Sequence, residues 1–408
     1  MSNAILVQPD LTFSEQIANS GGTDLRKCYQ CATCSVVCEL SQGDSPFPRK
    51  EMIWAQWGLK DRLLADPDVW VCHNCNDCSV HCPRGAKPGD VLAAVRKQAV
   101  SHYSIPGFLY RWANRPVYLP LMMLIPALLL LLGLLVRDPL GTALGFSPHH
   151  GEGMEYANLF PHWLLIGFFT FFWGLAVFLG LLGVSRYWKA MKKADQEAGR
   201  GGAHKGLVQS GLKVFADLLL HNRFSKCKSM ISRRQAHLYA FYGFWILFFV
   251  SAWAVVILYI LNPIIEDPFL YPFPFLNPAK IIANVGALAL VLGCILAISQ
   301  RLKNADTAGK STEFDWMFLG ILLTVGVTGI FVEGLRFAQN QSVGYVVYFV
   351  HLIFAFMLLV YLPYSKFAHL FYRTAALIYA EYSGRNEPVE VVSADPEGPT
   401  EEAAGAAA

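Results

Sequence analysis

Apolar and charged positions are finely mixed over the first 115 residues, and from Val117 onward the apolar positions run together. Between 49 and 64, Met52, Ile53, Trp54, Trp57, Leu59, Leu63 and Leu64 are interleaved with Arg49, Lys50, Glu51, Lys60 and Asp61. That spacing predicts a short amphipathic helix. A second helix is predicted from about Gly89 to Val100, with Asp90 near its start, where a carboxylate meets unbonded amides. No alternating strand pattern stands out. Six later segments reach or approach the ~20 apolar residues that a helix needs to cross a bilayer. They are 117–136, 161–184, 238–261, 281–299, 316–332 and 343–363. Pro120 and Pro126 predict a kink in the first. The last is expected to continue past Pro363 to about residue 380.

Composition agrees with this division. Of 408 residues 54% are hydrophobic and 15% charged, too few charges for a purely soluble protein. The net charge of +3 gives no basic excess suited to nucleic acid. Lys and Arg are placed unevenly. The loop 185–236 holds 12 of them, and Arg301, Lys303 and Lys310 follow segment four on the same side. The opposite loops hold only Arg137, Lys280 and Arg336. Positive residues stay inside, so the N-terminal domain, the long loop and the C-terminus are expected in the cytoplasm of a multi-pass inner-membrane protein. Within the loop, Leu207, Leu212, Phe215, Leu218 and Leu219 predict a helix, either lying at the inner leaflet against membrane lipid or packed on the protein. The tail 381–408, rich in Glu, Pro and Ala from 386, is expected to be disordered.

Eight of the ten cysteines fall within residues 28–82, in two runs with one spacing. The first is Cys28, Cys31, Cys34 and Cys38. The second is Cys72, Cys75, Cys78 and Cys82, followed by Pro83. Three cysteines at i, i+3 and i+6 let one tight turn wrap an iron–sulfide cube, and the fourth ligates the other cluster of a pair. One [4Fe–4S] cluster is therefore expected on Cys28, Cys31, Cys34 and Cys82, and the other on Cys72, Cys75, Cys78 and Cys38. Paired zinc sites are the alternative use of such thiolates, but zinc motifs pair two CxxC halves and leave the third and fourth cysteines unexplained. Glu39 follows Cys38 where the ferredoxin pattern has Pro, and the 33 residues between the runs suit an inserted helix. Cys227 and Cys294 receive no role. The fold class is all-α: a helical two-cluster ferredoxin domain over 1–115, then a six-helix transmembrane bundle over 116–380.

Histidine inside a bilayer is costly and marks function. His351 and His369 are 18 residues apart, five turns of a continuous helix, which would set both rings on one side roughly 27 Å apart along the axis. His162 opens segment two on the outer side and His237 opens segment three on the inner side. Depth pairs His162 with His351 and His237 with His369, which would hold two b-type haems through paired axial imidazoles. His149 or His150 could replace His162. His73 and His81, beside cluster cysteines, are expected as polar surface or supporting residues, and His102, His204 and His221 as exposed.

These residues resemble known families. The N-terminal half is similar to the C-type iron–sulfur subunits of heterodisulfide reductases, and the membrane half to the haem b subunits of the nitrate reductase gamma type. RRQAHLYAFYGF around His237 and the run from His351 through LPYSK to His369 carry the second likeness. Their fusion resembles the C-type subunits of the quinone-interacting membrane-bound oxidoreductase (Qmo) complexes, most closely in FPRKEMIWAQWGLKDRLLADPDVW and CPRGAKPGDVLAAVRK. The resemblance implies two flavin-bearing, iron–sulfur soluble partner subunits, and a link between menaquinone and adenylylsulfate reductase in dissimilatory sulfur metabolism. No GxGxxG stands between a strand and a helix, so flavin or nicotinamide should belong to a partner. The residues themselves predict an electron-transfer subunit of a quinone-dependent oxidoreductase. Quinone is expected on the outer side near Glu333 and Arg336, a carboxylate there being able to take a quinol proton. Lys280, Asp315 and Lys366 are competing positions. The rivals are a heterodisulfide or sulfite reductase-type redox subunit, and a haem-free membrane anchor for the iron–sulfur domain.

Overall fold

A computed structural model describes residues 8–41, 45–146, 153–199, 205–222, 231–265, 271–303, 309 and 311–385. Among them the regular elements are all helical, as expected for an all-α chain. His149, His150, His204, Cys227 and the tail beyond 385 lie outside the described residues.

The N-terminal domain is built from α1 (Leu11–Asn19), α2 (Thr33–Val36), α3 (Arg49–Gln56), α4 (Lys60–Leu64), α5 (Asp68–Val71), α6 (Asp77–Val80), α7 (Pro88–Tyr103) and α8 (Gly107–Ala113). Asp10 caps α1, its carboxylate accepting from the amides of Thr12 at 3.0 Å and Phe13 at 3.2 Å. The single helix expected over 49–64 is two, α3 and α4. The chain turns between them at Gly58, whose φ is +67° and where a Cβ would collide with the Asp10 carbonyl oxygen. The helix expected from 89 is α7, opened by Pro88. Phe13, Ile17, Met52, Leu63, Leu92 and Val95 close the core among α1, α3, α4 and α7.

The six membrane-crossing helices stand where the apolar runs put them. They are α9 (Leu119–Ala143), α10 (His162–Glu197), α12 (Ile231–Val256), α13 (Pro278–Lys303), α14 (Glu313–Phe337) and α15 (Gln341–Val360), with α11 (Leu207–Leu220) between α10 and α12. α12 and α13 approach closely through glycine: a Cβ on Gly293 would collide with the Ala240 backbone, and one on Gly286 would lie 2.6 Å from Ile246 Cγ2. α11 leaves Val208, Leu212, Phe215 and Leu219 exposed along one face and buries Ser210 and Val214 on the other. Lys205 and Lys213 tie it to Glu381 at 3.0 and 2.8 Å.

Expectations for the C-terminal part are overturned: residues 381–385, expected in a disordered tail, are helix and turn with Arg385 ion-paired. The last helix does not continue past Pro363. α15 ends at Val360, a short 3-10 turn covers Leu362–Tyr364, and a separate helix α16 (Ala368–Tyr382) follows. Proline removes an amide and crowds the preceding turn. Ser365 then restarts the helix, its Oγ accepting from Phe367 N at 3.2 Å. His351 and His369 therefore belong to different helices, and the five-turn argument does not apply.

α16 turns back onto the N-terminal domain. Tyr372 stacks on Trp70 at 5.7 Å between ring centroids, and Lys97 of α7 donates to Thr312 Oγ1 at the start of α14 at 2.9 Å. The domain thus sits at the end of the bundle that carries the basic loop. A buried ion group fastens this junction. Lys50 lies 2.9 Å from Asp66 and 2.6 Å from Asp68, and Arg385 bridges Asp66 at 3.1 Å and Asp195 at 2.6 Å. Lys50 Nζ is also 3.2 Å from Glu51 Oε1, but without hydrogen-bond geometry.

Burial pushes the Glu51 carboxyl up from 4.5 to about 8, against the opposing pull of Lys50. A raised carboxyl favours the fold while protonated in both states, and that contribution is lost as pH rises through the folded value. Asp66, held below 3.8 by Lys50 and Arg385 despite its burial, acts only at lower pH, whereas Asp68, raised by burial and by Asp66, acts in the same direction as Glu51. Glu51→Gln should therefore flatten the fall in thermal stability between pH 4.5 and 8, read as loss of helical circular dichroism. Equal slopes in variant and wild type would show that Glu51 does not carry the proton.

Candidate functional site

The two cysteine runs fold alike. In the first, Gln30 and Ala32 have φ of 68° and 67°; in the second, Asn74 and Asn76, at the same offsets from the leading cysteine, have 57° and 75°. A one-turn helix follows each, α2 and α6. Left-handed conformation at four non-glycine positions is costly and persists where surroundings impose it. Here it bends each run so that three cysteines face one cavity.

Cys28, Cys31, Cys34 and Cys82 line one cavity. Cys38, Cys72, Cys75 and Cys78 line the other, with Glu39 and His73. The fourth cysteine of each run has crossed to its neighbour's cavity. Backbone amides point at the sulfurs, Asn74 N donating to Cys72 Sγ and Ala86 N to Cys82 Sγ, both at 3.3 Å. Burial pushes the Cys34 thiol up to about 11 and the Cys38 thiol up to about 12. Buried sulfur ligands of this kind need a cation to stay deprotonated, and the donor set of four thiolates per cavity fits an iron–sulfur cluster. Cys294 is buried in the bundle away from both runs.

Three histidines at the end of the bundle nearer the N-terminal domain share one tautomer. His369 Nδ1 donates to the Lys366 carbonyl at 2.6 Å. His221 Nδ1 donates to the Leu219 carbonyl at 3.1 Å, so its Nε2 accepts, and His237 Nδ1 donates to it at 3.0 Å. These assignments follow from the hydrogen-bond pattern. His237 and His369 are in electrostatic reach of each other, and each has Nδ1–H fixed, which makes Nε2 the lone-pair nitrogen. A ligating imidazole is held in this way by a bond to its other nitrogen. His221 corrects the expectation of exposure: it is 3% exposed.

Farther along the bundle from the N-terminal domain, His351 Nδ1 lies 2.9 Å from Thr328 Oγ1 of α14. That hydroxyl gives its own proton to the Thr324 carbonyl at 2.6 Å, so the imidazole donates and its Nε2 again carries the lone pair. The His162 ring sits edge-on to Tyr271 at 5.2 Å. His221 and His237 are thus brought together with His369 in electrostatic reach, whereas His351 and His162 are shown against different neighbours. His73 is buried against Arg373, and His81 and His102 are exposed. Glu333 forms an ion pair with Lys280 at 2.9 Å and accepts from Asn284 at 3.0 Å, which binds α14 to α13. Arg336 stands in electrostatic reach of Tyr156 and Tyr271. Asp315 is ion-paired with Lys366.

Sequence reasoning missed His221, Arg233 and Arg373. Arg233 Nη1 donates to the Asn74 carbonyl at 3.1 Å. Arg373 donates to the Cys72 carbonyl at 3.3 Å and to His73 Nδ1 at 3.2 Å. Their spacing of four from His237 and His369 was the available signal.

Comparison with known proteins agrees with the cysteine geometry. Residues 24–86 match a family model described as a 4Fe-4S dicluster domain. Citrate utilization protein B of Escherichia coli is 28% identical over 377 residues, covering 87% of this chain and 89% of that protein. The C-type subunit of the H(2):CoB-CoM heterodisulfide,ferredoxin reductase of Methanothermobacter marburgensis is 40% identical over 91 residues, 22% of this chain and 49% of the relative. The E-type subunit of the dihydromethanophenazine:CoB--CoM heterodisulfide reductase of Methanosarcina barkeri is 27% identical over 183 residues, 43% of this chain and 68% of the relative. The chain thus spans about half the length of the Methanothermobacter relative. It is an iron–sulfur redox chain with membrane helices.

Proposed function

We propose that this chain is a membrane electron-transfer subunit that joins a quinone pool to a soluble redox partner. The observation that carries the reading is the inner histidine pair: two imidazoles, each with Nδ1 bonded away, beside two four-cysteine cavities. His237 and His369 would hold an inner b haem, and His351 with His162 an outer one. Each cavity would hold one [4Fe–4S] cluster, with Cys82 serving the first and Cys38 the second. Haem iron and clusters, when bound, pass single electrons; the chain supplies their ligands, spacing and electrostatic setting. A quinol that gives up two electrons also releases two protons. Arg336 on the outer side is a group that could orient it, with Glu333 as an acceptor when its pairing with Lys280 opens. The excess of Lys and Arg in the loops on its side supports a cytoplasmic N-terminal domain.

The heterodisulfide-reductase likeness of the cysteine domain supports soluble flavin and iron–sulfur partner subunits. In the reading we favour, the pool is menaquinone and the final partner is adenylylsulfate reductase, as in the Qmo complexes that the chain resembles. A second reading keeps the membrane role and changes the partner. The likeness to citrate utilization protein B runs through both halves of the chain, which favours a partner serving citrate utilisation.

The test is a dithionite-reduced visible spectrum of the purified chain with haem and iron quantitation. The expected result is two b haems and about eight cluster irons per chain. Cluster absorption with no haem would make the chain an anchor, and one haem would remove the outer pair. Menaquinol-dependent haem reduction, and the subunits that co-purify, separate the two readings of the partner.

A further inference from the structure

The two cavities differ in how they meet the histidine-bearing helices α12 and α16. Arg233 lies four residues before His237 on α12, and Arg373 four after His369 on α16. Residues four apart share a helix face. Both guanidinium groups reach the same short loop of the second run. Arg233 bonds the carbonyl of Asn74. Arg373 spans the carbonyl of Cys72 and the ring of the buried His73. From within the domain, Arg96 holds the same loop, bonding the Asn74 side chain at 2.8 Å and the Val69 carbonyl at 3.0 Å. Trp70, just ahead of the loop, stacks on Tyr372, next to Arg373. The hydrogen bonds shown around the first cavity stay within the domain instead: Gln30 to Gln56, Arg49 N to Ser35, Ala86 N to Cys82. Its Cys31 is exposed.

We propose that Arg233 and Arg373 are positioning residues that clamp the second-run loop to both histidine-bearing helices, making the Cys72 cavity the site that exchanges electrons with the membrane and the Cys28 cavity the site that faces the soluble partner. The proposal rests on the electron-transfer reading above. One electron crosses per event, the donor haem iron being oxidised and the acceptor cluster reduced, with no bond made or broken. The forked guanidinium suits this task, since it fixes two acceptors at once and keeps its charge. Two cations at the loop also favour the state with the added electron. The clamp therefore sets both distance and potential at one cavity and leaves the other alone.

The test uses the full chain in detergent, with Arg233→Gln, Arg373→Gln and Arg373→Lys. Cys31→Ser identifies which cluster signal belongs to the first cavity. Haem and iron contents are measured first. In the Gln variants, amide hydrogen exchange over residues 73–77 should quicken, and the midpoint of the Cys72-site cluster, followed by EPR in a redox titration, should move to lower potential. The Cys28-site midpoint should stay. Arg373→Lys keeps the charge and loses the fork, so the midpoint should recover more than the exchange protection does. Unchanged exchange and midpoints, or a shift confined to the Cys28 site, would overturn the proposal. If the Gln variants do not assemble, the Lys variant decides by the same comparison. A wild-type chain without haem would defeat the electron-transfer reading, whereas the exchange measurement would still judge the clamp by itself.

Discussion

Replacing Cys82 by Ser should empty the cavity formed by the other run, removing about four of eight cluster irons while the Cys72 site keeps its signal. Cys82 belongs to the second run in sequence but lines the cavity of Cys28, Cys31 and Cys34. Its sulfur is held there by the Ala86 amide. A hydroxyl in its place is a poor ligand for iron, so the first cube would lose a corner and become labile. Cys38→Ser is the mirror experiment, with loss expected at Cys72, Cys75 and Cys78. EPR of the reduced variants, with iron and acid-labile sulfide measured together, separates the sites. Loss in the Cys82 variant confined to the Cys72 site would mean that each run keeps its own fourth ligand. That outcome is hard to reconcile with the fold, because the αL residues at matching positions give both runs the same bend and send both fourth cysteines outward.

The grouping of the cysteines was legible in the sequence because their spacing is a local pattern. Four cysteines in eleven residues leave the chain little choice, and the repeated spacing announces the repeated bend. The membrane spans were legible for a similar reason: a continuous apolar run of sufficient length has one comfortable environment. What could not be read depended on contacts between distant segments. His221 looks exposed at the end of a basic loop helix. It is buried because α11 packs beside α16 and brings it to His237, 16 residues on. Arg233 looks like one more inside-positive charge, and its bond to Asn74 joins residues 159 apart. The break at Pro363 is a local signal that the 18-residue spacing of the two histidines masks. The pairing of depths did not need that spacing. His369 is placed by α16, which the N-terminal domain holds through Trp70 and Arg373.

His369→Ala should remove about half of the pyridine haemochrome signal and leave a spectrum of one remaining haem, since each iron needs both of its imidazoles. His237→Ala should give the same loss, and the double variant no further loss, if the two rings serve one iron as proposed. His351→Ala should remove the other half, independently of the inner pair. His221 separates ligation from positioning. It holds the His237 ring through a two-step chain, His237 Nδ1–H to His221 Nε2 and His221 Nδ1–H to the Leu219 carbonyl. His221→Ala should therefore keep haem bound at about tenfold to a hundredfold lower affinity. Its midpoint should shift as well, because the His237 imidazole would lose the acceptor that would make it a stronger donor to the proposed haem iron. His221→Gln, whose side-chain oxygen could accept from His237 Nδ1, should restore part of both. Complete haem loss in His221→Ala with full haem in His237→Ala would reverse the roles of the two rings and make His221 the ligand. Full haem in both His369→Ala and His351→Ala would remove α15 and α16 from haem binding altogether. The cysteine cavities would then stand beside a bundle that holds the domain without feeding it.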